Sequence, residues 1–183
     1  MSFSADQWIA SKSCEFRWLA RVGPLGAVRV TDALVSGSPV GSVNLFGLFP
    51  LARADATEAL LKGELLRYLA ELPWCPDAIV SNPALRWEVV DKGCLRIGAS
   101  CGPVDAQLDL HLDDHGLPAR IRAIRPAEEG GQFTDREWQG TFCDYRRVEG
   151  RLIPHAARVW WTIDDAPFDV WRGSLENWSS AAR

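Results

Sequence analysis

The chain lacks the marks of several large functional classes. No apolar run approaches the roughly 18 residues that a membrane-crossing helix needs, and the opening M-S-F-S-A-D-Q-W has no basic segment followed by an apolar core. A cytoplasmic protein without a membrane span is expected. The net charge of −4 leaves no basic footprint for nucleic acid. Neither Gly-x-Gly-x-x-Gly nor a phosphate-loop pattern occurs, and no G-x-S-x-G elbow is present, so no nucleotide cofactor is indicated. The five cysteines are odd in number and contain no C-x-x-C pair. They read as free reduced thiols, with only Cys94 and Cys101 placed to meet across a hairpin. Histidines number three. His111 and His115, with Asp113 and Asp114 between them, span a strand end and a D-D-H-G turn, which points them apart. That reads as a polar hairpin tip, and no metal is expected. Internal repeats, low-complexity segments and linkers are also missing, so residues 1–183 read as a single domain.

What is present is apolar and aromatic. Hydrophobic residues make up 47% of the chain, which excludes disorder, and nine are tryptophans. Tryptophans in such number build either a bulky core or the walls of an apolar pocket.

One segment has clear helical periodicity. From Asp55, an N-cap candidate with Glu58 in capping-box spacing, good helix formers run to Leu72, and Pro73 stops them. Leu61, Leu65, Leu69 and Leu72 form an apolar stripe that requires a sheet to cover it. A second stripe of Leu60, Glu64, Arg67 and Glu71 brings two carboxylates and a guanidinium to one face, with Tyr68 between the stripes. This charged face is either solvated and laced with weak ion pairs, or it lines a cavity where Arg67 holds both carboxylates and one has a shifted pKa. P-W-C-P then makes a rigid exit whose Trp74 folds back on the helix end or rims a pocket mouth.

The rest reads as strands and turns. Phe3 to Ser13 suggests a short helical turn anchored by Trp8 and Ile9. Period-two alternation begins at Glu15 to Val22 and continues in Ala27 to Ser36 and Ser42 to Leu48, after which G-L-F-P-L leads into the helix. Beyond the helix, runs at 85–90, 94–100, 104–112, 119–125, 138–148, 151–163 and 168–178 alternate with turns such as D-K-G, D-D-H-G, R-P-A-E-E-G-G and V-E-G. About ten strands with one main helix predict an α+β fold: a single curled, mostly antiparallel half-barrel sheet wrapped around the helix at 55–72.

Several segments in order, G-E-L-L-R-Y-L-A-E-L-P-W-C-P, L-R-W-E-V-V-D, L-D-L-H-L-D-D-H-G-L-P-A-R and R-L-I-P-H-A-A-R-V-W-W, resemble a bacterial family catalogued only as a domain of unknown function. The resemblance runs from about Phe16 to Trp178. Its strand and helix order is similar to the half-barrel of periplasmic lipoprotein carriers, which implies a sheet closed around helices with room for an apolar molecule.

Two functional classes fit these residues. As a binding module, the cavity between sheet and helix takes a small hydrophobic or aromatic molecule, with Trp74, Trp87 and Trp161 as walls and Arg67, Tyr68 and Arg122 orienting it. Arg120 and Arg122 share one strand face, and whichever arginine turns inward needs Glu64 or Glu71 as partner. As a cofactor-free lyase, isomerase or hydrolase, the same cavity uses Glu64 or Glu71 as acid/base, Arg67 to stabilise developing negative charge, and Tyr145 or His155 to assist. A third reading, a protein-interaction domain, expects an exposed apolar patch instead.

Overall fold

A computed structural model describes residues 3–180. Two antiparallel meanders flank one helix. The first holds β1 (Phe3–Ile9), β2 (Phe16–Val22), β3 (Val28–Val35), β4 (Ser38–Leu45) and β5 (Phe49–Arg53), and it forms a five-stranded sheet in chain order. The chain then crosses through α1 (Glu58–Ala70) and the short α2 (Pro76–Ser81). The second meander runs from β6 (Arg86–Asp91) through β7 (Cys94–Cys101), β8 (Val104–Leu112), β9 (Pro118–Glu129), β10 (Gln132–Val148) and β11 (Arg151–Ile163) to β12 (Ala166–Ser174). It forms a seven-stranded sheet.

The antiparallel character and the single main helix agree with the sequence pattern. The single sheet does not, and the twelve strands exceed the expected ten. Both added strands lie in the first meander. Phe3 to Ile9 is a strand rather than a helical turn, paired with β2 from Phe3 opposite Val22 to Ile9 opposite Phe16. F-P-L-A-R, expected to lead straight into the helix, pairs with β4 as β5. R-P-A-E-E, expected as part of a turn, extends β9 to Glu129, and only Gly130 and Gly131 turn the chain. Cys94 and Cys101 do not meet across a hairpin, because they occupy the two ends of one strand, opposite His111 and Val104. All five cysteines are free.

The helix begins later than expected. Thr57, in extended conformation, accepts the Leu60 amide at 3.2 Å and serves as N-cap in place of Asp55. Leu61, Leu65, Leu69 and Leu72 are all buried, as their spacing requires, in one core with Ile97, Leu108 and Ile121 of the larger sheet. The helix also meets the smaller sheet at β3 and β4, and Phe16 and Leu34 on that sheet's inner face are completely buried. Away from the helix, an aromatic seam links the sheets. The Phe3 ring lies 5.9 Å from Trp18 and 6.4 Å from Trp171, and Trp171 lies 6.1 Å from Trp74.

Candidate functional site between the two sheets

The charged stripe of α1 is buried. Glu64 is 4% exposed and Glu71 7%, so this face is not the solvated one that surface charge patterns usually mark. Each sheet supplies one counter-residue. On β3, Val30, Asp32 and Leu34 share the inner face through their register with Ala20, Trp18 and Phe16. Asp32 accepts from Arg67 Nη1 at 2.5 Å, while Arg67 Nε donates to Glu71 Oε1 at 2.8 Å. On β9, Ile121 and Ala123 are buried and Arg125 follows them on the same inward face. Its guanidinium packs against α1 at Gly63, where even a Cβ would sit in ordinary contact, 3.5 Å from Arg125 Nε.

Aromatic rings hold both guanidinium groups. Arg67 lies 4.9 Å from the centre of Trp18 and 5.2 Å from Phe16. Arg125 lies 4.7 Å from Trp138 and 5.8 Å from Trp161, whose rings are 6.4 Å apart. Cation–π contacts stabilise charges that burial has stripped of water.

Three carboxylates face two guanidinium groups, so a neutral cluster requires one extra proton. Burial pushes the Glu64 carboxyl up to about 7, against the opposing pull of Arg125. Burial also pushes the Glu71 carboxyl up, opposed by the adjacent Arg67. Burial disfavours the Arg67 charge, yet Glu71 and Asp32 more than offset it and hold the guanidinium more firmly protonated than usual. For Arg125 burial prevails and lowers its pKa. Among the described residues, Glu64 Oε2, Glu71 Oε2 and Arg125 Nε are buried without a hydrogen-bond partner. Such atoms ordinarily cost about 1–3 kcal/mol each, so a cluster of three calls for a cause.

Of the residues singled out from the sequence, Glu64, Arg67, Glu71 and Trp161 converge here. The other six have placements of their own. Tyr68 is fully buried, donates to the Ala10 carbonyl at 3.0 Å and accepts from Asn82 at 2.8 Å. Trp74 donates to the Pro154 carbonyl at 2.9 Å and packs on Phe142, as a helix-end anchor. Trp87 sits 39% exposed on the edge strand β6. Arg122 faces outward and pairs with Glu137, so the inward arginine of β9 is Arg125. Tyr145 donates to the Pro118 carbonyl at 2.6 Å. It lies seven residues along β10 from Trp138, roughly 23 Å at strand rise. The buried His155 has Nδ1 3.0 Å from the Ile153 carbonyl, six residues along β11 from Trp161.

Asp32, Arg125, Trp18 and Trp138 belong to the cluster although sequence reasoning did not assign them to it. Asp32 and Arg125 carried a readable signal: each is the charged residue in an apolar row of period two, Val28-Val30-Asp32-Leu34 and Ile121-Ala123-Arg125.

The chain belongs to a family of unknown function (DUF6544), whose model matches residues 1–173. No curated protein and no solved structure matches it significantly. Among the described residues no helix is long and apolar enough to cross a membrane.

Proposed function

We propose that the protein binds a small apolar or aromatic molecule bearing a polar group, held between the two sheets over the charged face of α1. The observation that carries this reading is the set of unpartnered buried atoms, Glu64 Oε2, Glu71 Oε2 and Arg125 Nε, in an aromatic surround drawn from both sheets. Ligand sites commonly pair apolar walls with a few convergent polar groups. Trp18, Asp32 and Trp161 are only half-buried, as are Val22, Val30 and Val43 farther along the same inner face of the smaller sheet. A ligand approaching from that side would meet the charged residues between these apolar side chains. A ligand hydroxyl, amine or amide that donates to the carboxyl oxygens would recover the hydrogen bonds they lack.

The position of the Glu64 carboxyl, at about 7, favours a second reading: a cofactor-free lyase, isomerase or hydrolase in which Glu64 moves a proton at neutral pH. Arg67 would then stabilise negative charge developing on the substrate.

Thermal unfolding and tryptophan fluorescence against a panel of small apolar and aromatic compounds test the first reading. A ligand that binds only the folded chain raises its melting temperature saturably, and quenching of Trp18, Trp138 or Trp161 would report the same event. No shift with any compound would reject it and move the balance to a partner-binding protein. Given a ligand, Glu64→Gln separates the two readings. Retained affinity with lost turnover keeps the enzyme, whereas unchanged chemistry, or none in either protein, removes it.

A further inference from the structure

The far end of the five-stranded sheet breaks the usual rule for turn residues. Seven non-glycine residues among those described have positive φ. Five of them, Ser36, Asp144, Glu149, Asp164 and Asp165, are polar, as short side chains that tolerate the left-handed region or bond the local backbone should be. The other two are Leu25 (φ 57°) and Phe46 (φ 52°). They lie in adjacent turns, because the Phe46 amide donates to the Ala27 carbonyl at 2.6 Å and Val28 pairs with Leu45. Leu25 is fully exposed, Phe46 is 57% exposed, Leu48 77% and Phe49 62%. Two turns of one end therefore hold large apolar side chains in strained backbone and present them to water, where glycine or asparagine would serve the turn better.

Charge surrounds these side chains asymmetrically. Between residues 16 and 54 the only acid is Asp32, which faces inward to Arg67, while Arg21 and Arg29, next to the turns, and Arg53, farther along β5, are all exposed. The net charge of the whole chain has the opposite sign. Arg21 and Arg29 stand directly opposite each other on the outer face of the sheet, an arrangement that costs stability. Arg21 bridges to Asp6 at 2.9 Å, and Arg29 has no acidic partner among the described residues. Each lies against one of the two turns: a Cβ at Gly26 would be 3.1 Å from Arg21, and one at Gly47 would be 2.6 Å from Arg29.

We propose that this end of the smaller sheet is a docking surface for an anionic lipid bilayer. Leu25, Phe46, Leu48 and Phe49 enter the boundary between headgroups and acyl chains, and Arg21, Arg29 and Arg53 meet the lipid phosphates. An apolar wedge with a cationic collar supplies both contributions that reversible membrane attachment requires, insertion and electrostatic attraction. The inference stands independently of any ligand between the sheets.

Flotation of the full chain with lipid vesicles tests it, using phosphatidylcholine alone and phosphatidylcholine with about 30% phosphatidylglycerol. The protein should float with the anionic vesicles, and added salt should release part of it. The double variant Leu25→Gly, Phe46→Gly keeps both turns in a conformation glycine adopts freely; it should remain folded and lose flotation by roughly fivefold or more. A second variant, Arg29→Gln, Arg53→Gln, should weaken binding to anionic vesicles while leaving the apolar turns in place. Failure to float with anionic vesicles would overturn the proposal. So would equal flotation on neutral vesicles, or a glycine variant that floats like the parent. A mass that rises with concentration and falls in the glycine variant, without vesicle binding, would assign the surface to a second copy of the chain instead.

Discussion

Glu64 makes the interior sensitive to pH in a defined direction. Its carboxyl titrates near 7 in the folded chain and near 4.5 when unfolded. Between those values the folded state holds a proton that the unfolded state has released. The stabilisation from protonated Glu64 is therefore complete below about pH 4.5 and lost as pH rises through about 7, a change of roughly 3 kcal/mol. Urea unfolding from pH 4.5 to 8 should show this loss in the natural protein. Glu64→Gln is neutral throughout, so its stability should rise relative to the parent by a similar amount across that range. Parallel pH profiles would show that Glu64 is an ordinary carboxylate. The residue type, its helical spacing and the option of a shifted carboxyl were legible in the sequence, but which carboxyl shifts was not. That depends first on burial and then on Arg125 and Asp32, which come from strands distant in the chain.

At the scale of elements, periodicity was legible wherever a face is buried. Leu61, Leu65, Leu69 and Leu72 marked the helix, and Val104 to Leu112 marked β8, because each must cover a core. The two strands that went unrecognised lie at or near an edge with little burial. All but one residue of β1 is exposed, and every residue of β5 is. β5 also contains Pro50, which is tolerated on an edge strand because the ladder does not need its missing N–H. The helix start was displaced for a related reason: D-A-T-E offers two capping residues, and only backbone conformation selects Thr57. Thr57→Ala should cost about 1 kcal/mol of stability by denaturant unfolding, and Asp55→Ala only a few tenths. The reverse order would return the cap to Asp55.

For the whole molecule, strand order within each meander followed from the short turns, whereas the division into two sheets did not. Alternation tells which residues share a face, but it does not tell whether β5 pairs with β6 across the helical crossing. Those two strands form sheet edges, and the register slip between Val89 and Asp91 interrupts the β6 edge further. The sheets are joined instead by α1 and by the aromatic seam, in which Trp171 touches both Phe3 of the smaller sheet and Trp74 at the helix exit. Gly173 is what lets Trp171 lie there: a Cβ at that position would approach the indole to 2.5 Å and 2.6 Å, closer than real contacts allow. Its backbone is ordinary, so alanine strains only the packing. Gly173→Ala should displace the indole, cost about 1–3 kcal/mol as overpacking does, and change the near-ultraviolet circular dichroism. Amide exchange should rise first in β1 and β12, the edges the seam holds together, while β7 and β8 stay protected by the helix. Uniform loss of protection across both sheets would mean that the two meanders unfold as one unit and that the seam does not join them separately.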